Sequence, residues 1–198
     1  KFQKLNYKIF YDLANIYKNF KNYEKSIEYY NLVLNSVDKT SSSYADTLYR
    51  RGSSYERIGE FKKSDKDLLE SLSIVSDDPY VLNYLAYSWL ERNHKVETAI
   101  EMLMTAYNKK TNDPYITDSL GWAYYKNGDY IEAEKYLNYA IQLKPNDPVI
   151  TDHYADTLWK LDRKIQARYY WQSIIESKSN ELDKKVIKNK IIMGPNII

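Results

Sequence analysis

The sequence predicts an all-α array of stacked helical hairpins, and three observations carry that prediction. Asp-Pro occurs at 78–79, 113–114 and 147–148, at intervals of 35 and 34 residues. The chain holds only 5 Gly and 5 Pro in 198 positions, too few for an all-β protein with many tight turns. After each of those prolines, small and large residues return at matching offsets, which is the mark of a repeated unit.

Asp before a helical pattern is a strong N-cap, because its carboxylate accepts hydrogen bonds from the free N–H groups of the first turn. Pro suits the next position, where no N–H is needed and φ is already helical. Each Asp-Pro therefore opens a helix. After Pro114 come Leu120-Gly121, Tyr124, the turn Asn127-Gly128, then Ala133, Leu137, Ala140 and Pro145. After Pro148 the same slots hold Tyr154-Ala155, Leu158, Ala167, Trp171 and Ile174. After Pro79 they hold Leu85-Ala86, Trp89, Ala99, Leu103 and Ala106, with one extra residue in between. Upstream, Gly52, Tyr55, Gly59, Ser64 and Leu68, and before them Leu13-Ala14, Tyr17, Ser26 and Tyr30, continue the pattern.

Five repeats follow, at 7–40, 45–78, 79–113, 114–147 and 148–181, in a single domain over 1–198. Small residues let paired helices approach, and large ones fill the space around them. A lone hairpin cannot bury its apolar face, so the pairs are expected to stack into a right-handed superhelix. A closing helix at about 182–193 should turn Leu182, Val186, Ile187 and Ile191 inward and Lys184, Lys185, Lys188 and Lys190 outward. No matching cap precedes residue 7, so the chain reads as a fragment of a longer protein with further repeats upstream.

Composition narrows the function classes. Apolar residues make up 43% and charged residues 28%, as in a folded rather than a disordered chain. With 29 basic against 27 acidic residues the net charge is +2, too balanced for a sequence-independent nucleic-acid binder. Cys is absent, which excludes disulfides, thiolate metal sites and a Cys nucleophile. No apolar run approaches the length of a membrane span. The two histidines, His94 and His153, lie in different repeats. His153 with Asp152 and Asp156 has the spacing of a cation site, but reads more readily as a polar helix surface. No phosphate loop or hydrolase motif is present, so no enzyme, metal or cofactor is expected.

The slots of the fourth copy fit the tetratricopeptide spacing L-G-x2-Y…A-x3-F…A…P, with Leu137 where the pattern prefers Phe. The chain resembles bacterial tetratricopeptide repeat (TPR) proteins. The stretches "VLNYLAYSWLERN", "DSLGWAYYKNGDYIEAEKYL" and "DHYADTLWKLDRKIQARYYWQSI" are similar to the C-terminal repeats of a proteobacterial envelope-associated group. Members of that group are typically longer, often exported or lipid-anchored, and some act as adaptors in cell-envelope assembly or proteolysis. The resemblance alone favours cell envelope or periplasm over cytoplasm.

In that family the first helix of each repeat lines a concave groove at four positions. They fall here on Lys8, Tyr11, Asn15 and Lys18, and on Asp46, Tyr49, Ser53 and Glu56. The later repeats supply Tyr80, Asn83, Tyr87 and Leu90, then Tyr115, Asp118, Trp122 and Tyr125, and finally Val149, Asp152, Asp156 and Trp159. Rings offer large contact area at low entropic cost, and the carboxylates suit a basic or N–H-rich segment. The expected partner is thus a protein or peptide, apolar in part and carrying Lys or Arg, with no nucleic acid and no membrane span. Trp122 and Tyr87 could instead plug the seam between repeats. Trp89 and Trp171 fall on buried slots.

"YRRGSSYER" gathers Arg50, Arg51 and Arg57, which a solvated face explains more readily than an anion site. The clamp that holds acidic chaperone tails in some family members is not expected, because Tyr11 takes its lysine slot. Self-association, giving a monomer or weak homodimer, is the alternative reading. A pentatricopeptide-like RNA reader is more remote, since Pro145 and the near-neutral charge both speak against it.

Overall fold

The computed structural model describes residues 2–195, with side chains from residue 7 onward. The expected domain's first residue and its last three lie outside the described residues. Eleven helices and no strands occur among the described residues. They are α1 (Phe2–Asn19), α2 (Tyr23–Leu34), α3 (Ser42–Arg57), α4 (Phe61–Ile74), α5 (Pro79–Glu91), α6 (Val96–Lys109), α7 (Pro114–Lys126), α8 (Tyr130–Leu143), α9 (Pro148–Lys160), α10 (Lys164–Glu176) and α11 (Lys184–Met193). The chain divides into two compact units, residues 1–88 and 89–198.

In the first unit α1 pairs with α2, α3 with α4, and α2 packs on α3. In the second, α7 pairs with α8 and α9 with α10, while α6, α8 and α11 join successive pairs. The helix starts follow the Asp-Pro logic. Asp78, Asp113 and Asp147 each accept hydrogen bonds from the two N–H groups that follow their proline, at 2.9–3.2 Å. Asp183 caps α11 in the same way, accepting from Lys185 N at 2.8 Å, so that helix begins after Asp183 rather than at 182.

Every turn from a first to a second helix uses one device. The chain passes through a left-handed residue at Lys21, Gly59, Asn93, Gly128 and Asp162, with φ between 50° and 84°. That residue and its successor return hydrogen bonds to the helix they leave, as in Gly128 N to Tyr125 O and Asp129 N to Tyr124 O, both 3.0 Å. These paired bonds satisfy carbonyls that a helix end would orphan, and they set the reversal angle.

The hairpins close on a small-against-large contact. A Cβ placed on Gly121 of α7 would stand 2.6 Å from Leu137 Cγ of α8, and one on Gly52 of α3 would stand 3.1 Å from Leu68 Cγ of α4. Sixteen residues separate the members in both pairs, and Ala155 and Trp171 repeat that spacing within the second unit's core. Around these contacts Leu48, Leu68, Leu120, Leu137, Leu158 and Trp171 are wholly buried. Each such aliphatic side chain contributes about 1.5–3 kcal/mol through burial. Trp89 and Trp171 are core residues, as their slots imply.

A methyl group at Gly121 has nowhere to go unless α7 and α8 separate. Gly121→Ala is expected to lower stability by about 1–3 kcal/mol despite the better helix propensity of Ala. Gly52→Ala should cost less. Urea or thermal unfolding midpoints of the two variants check the order.

Candidate functional site

The first helices carry the face on which a partner is expected, and in the second unit the chain itself furnishes much of that face. Asp118 of α7 is buried and accepts from His153 Nδ1 of α9 at 3.0 and 3.1 Å. The His153 ring lies flat on Trp122, centroids 4.0 Å apart, and Trp122 stacks on Tyr125 at 4.5 Å. Trp122 Nε1 donates to Glu91 at 3.0 Å. Trp122 thus fills the seam between successive first helices. His153 is no polar surface residue but is only 7% exposed, because the ring stack and the Asp118 carboxylate enclose it. Burial pulls the His153 pKa down, yet the attraction of Asp118 outweighs it and holds the imidazole above its ordinary value.

One repeat further on, the pattern recurs with a different cation. Lys190 of α11 donates to Asp152 at 2.7 Å and to both oxygens of Asp156 at 2.9 Å. Trp171 Nε1 holds the other oxygen of Asp152 at 2.9 Å. This corrects the expected orientation of the closing helix. Lys190 points inward onto the carboxylates, while Val186 is 50% exposed, because two buried charges draw the ammonium in more strongly than an aliphatic side chain. Burial and the neighbouring Asp152 push the Asp156 pKa up to about 6 against the pull of Lys190. Lys190 is itself raised: burial opposes its charge, but the two carboxylates prevail.

The remaining predicted residues separate. Trp159 is half-buried, 5.6 Å from the Trp171 ring, with the Arg168 guanidinium 5.1 Å above it. Gly194 presses flat against Trp159, where a Cβ would meet Trp159 Cε2 at 2.4 Å. Tyr125 is half-buried, and burial together with Asp156 raises its hydroxyl pKa. Tyr115 is exposed at the helix start, its ring 4.3 Å beneath Lys144 Nζ. In the first unit Tyr80 is exposed, Tyr87 is half-buried, and Asn83 carries a buried Oδ1 with no hydrogen-bond partner. Among the described residues no group of three His, Asp or Glu side chains is placed to hold a metal ion.

The first unit holds a groove that no side chain of the unit fills. A cavity of about 610 Å³ opens between the start of α3 and the middle of α1, closed below by Val33, Ala45, Val75 and Val81. Tyr7, Tyr11 and Tyr49 wall it, and Asp12, Asp46 and Asp78 ring it with Lys8. Tyr11 donates to Asp46, which also takes Arg50 Nε at 3.0 Å. Burial and Asp46 raise the Tyr11 pKa to about 12, so its hydroxyl stays a donor. The basic cluster of α3 splits: Arg50 goes to Asp46, Arg51 crosses to Asp67 and Asn31 at 2.7 Å, and Arg57 lies beside Glu56.

Sequence reasoning missed Lys190, Gly194 and Glu91 as the neighbours of these first-helix side chains. A signal existed for Lys190: it stands 34 residues after Asp156, as His153 stands 35 after Asp118.

Capped hairpins stacking through side chains one repeat apart define a helical repeat protein. The chain carries tetratricopeptide repeats and is similar to bacterial proteins built from them. Family models described as tetratricopeptide repeat match residues 7–36, 45–77 and 117–147. A TPR repeat-containing protein of Pseudomonas aeruginosa is 33% identical over 95 residues, 48% of this chain and 16% of that protein, so the chain spans about a sixth of that relative's length. Among solved structures, PilF of Pseudomonas aeruginosa superposes with a TM-score of 0.77 at 20% identity, covering 96% of this chain and 85% of that one. A thermophilic TPR protein of Thermus thermophilus gives 0.76 at 16% identity over 94% and 99%. MamA from Desulfovibrio magneticus gives 0.72 at 14% over 86% and 94%. At these identities the likeness is one of fold. Repeats of this family are, in general, scaffolds for protein–protein interaction.

Removing the cation from the α9–α11 contact leaves two buried carboxylates facing each other. Lys190→Met, which keeps the aliphatic stem, is expected to destabilise the chain by about 3–5 kcal/mol. A thermal midpoint within a degree of the unsubstituted chain would show that the contact contributes nothing.

Proposed function

We propose that this chain is a non-enzymatic adaptor that holds a segment of another protein against its first helices, with the groove of the first unit as the open seat. The observation that carries the reading is the 610 Å³ cavity, whose floor is apolar and whose rim holds Asp12, Asp46 and Asp78 against Lys8. An apolar side chain would lower its free energy by leaving water for that floor. A Lys or Arg beside it would meet carboxylates at the rim. The partner class is therefore the one its rings and carboxylates suggest: a peptide or helical segment, partly apolar and partly basic.

A specific observation supports a second seat in the other unit. Lys190 on Asp152 and Asp156, with Gly194 flat on Trp159, displays what the face of Asp118, Trp122, Tyr125, Asp152, Asp156 and Trp159 accepts. There a partner's lysine would have to compete with one already in place. In the first unit's groove Arg50 already holds Asp46, but among the described residues no cation is paired with the exposed Asp12 on the rim, which makes this groove the favoured seat. The resemblance of its C-terminal repeats to a proteobacterial envelope-associated group favours the bacterial envelope as the place of this adaptor role.

Ser43 lies exposed at the cavity mouth and Asp12 is exposed on its rim, so both can be changed without disturbing the core. Ser43→Trp, which fills the cavity, and Asp12→Lys, which reverses its rim, are each expected to reduce partner capture at least about tenfold. Cross-linking and affinity capture from the native cell, with circular dichroism as the folding control, make the measurement. Undiminished capture by both folded variants would refute this seat.

A further inference from the structure

Two arginines of "YRRGSSYER" play no part in forming the cavity, and they meet an unusual lysine. Arg50, Ser53 and Arg57 recur at steps of three and four residues and so share one face of α3. Lys18, from the last turn of α1, rests its ammonium on Ser53 Oγ, and the Ser53 hydroxyl donates in turn to the Arg50 carbonyl at 2.8 Å. Ser53 is 1% exposed, which places this contact inside the stack of first helices.

The local charges do not balance. Arg50 is held by Asp46 at 3.0 and 3.2 Å. Arg57 lies 3.6 Å from Glu56, whose carboxylate also accepts from the Tyr84 hydroxyl at 3.1 Å. Three cations thus face two carboxylates, and each carboxylate is engaged by an arginine. Among the described residues no carboxylate pairs with Lys18, whose partner is a hydroxyl. Its pKa stands at about 8, lowered first by burial and then by Arg50 and Arg57, with Asp46 acting weakly the other way. A half-satisfied, largely buried ammonium is a cost that a bound anion would relieve. Arg57 is 60% exposed in its side chain and keeps donors free to share such an anion.

We infer that Lys18, Arg50 and Arg57 form an anion site for a carboxylate of the polypeptide held in the neighbouring groove. The inference rests on the groove reading for its source of carboxylate, but the site itself stands on the charge imbalance. Lys18 follows Tyr11 by seven residues, two turns along α1, so the site lies about 10 Å from the cavity wall. A segment lying there would set a basic or apolar group in the cavity and an acidic group about three extended residues away. Asn15, the remaining slot of the chaperone-tail clamp, accepts from Tyr30 at 2.7 Å and from Arg50 at 3.4 Å, so this site is not that clamp.

The test follows the Lys18 ammonium by NMR through a pH titration of the whole chain, in chloride and in acetate at equal ionic strength. Acetate is expected to raise the midpoint by about one unit, a tenfold change in proton affinity. Arg57→Gln, at an exposed position that spares the fold, should remove most of that rise. Two peptides then separate the sources. One is capped at both ends around an internal Glu, and the other has a free C-terminal carboxylate and no acidic side chain. Whichever raises the midpoint names the carboxylate. A rise with acetate and with neither peptide would keep the anion site and sink the groove reading. A midpoint at the ordinary lysine value in chloride, one that acetate leaves unmoved, or one that responds to inorganic phosphate alone would overturn the site.

Discussion

Three helix pairs in this chain approach closely enough for a Gly or Ala to rest against a Leu or Trp sixteen residues later, and the other features follow from that constraint. Gly121 on Leu137 is its tightest instance. The approach fixes each hairpin's geometry, and the left-handed turn residue with its paired hydrogen bonds fixes the reversal that makes the approach possible. With every hairpin alike, first helices fall beside first helices, and residues about 35 positions apart become neighbours.

That register turns sequence spacing into chemistry. Tyr11 meets Asp46 and Asp118 meets His153 on adjoining first helices, and Asp156 meets Lys190 on the closing helix, in each case about one repeat length apart. The face that could receive a partner is therefore also the face through which repeats bind each other. A buried carboxylate in such a place must find a cation, since leaving it unpaired costs several kcal/mol. His153 and Lys190 are the cations that the second unit supplies. In the first unit Arg50 and Arg57 are matched and Lys18 is left over, so its face differs in charge from its counterpart although the backbone plan is the same.

Legibility in the sequence tracked the range of the forces involved. Helix starts at Asp78, Asp113 and Asp147, the turn at Asn127-Gly128 and the buried Trp89 and Trp171 were legible, because capping, turn chemistry and hydrophobic period act within a few residues. Orientation on the shared face was less so. Trp122 could be read as seam or as groove, and the structure puts it in the seam against His153. The closing helix was read as apolar inward and lysine outward, whereas Lys190 turns in onto the carboxylates, Lys184 donates to the Ile175 and Ser177 carbonyls, and Val186 is half exposed. Hydrophobic period cannot see a pair of buried carboxylates on another helix.

What the sequence determined by itself is the all-α repeat plan: helices opened by Asp-Pro, closed by a left-handed residue, and built from alternating small and large residues. Only the tertiary structure decided which polar side chains on the first helices face one another and which face solvent. The reason is physical. Secondary structure is set by local dihedral preference and period, whereas the pairing of buried charges depends on through-space distances that exist only once the hairpins have stacked.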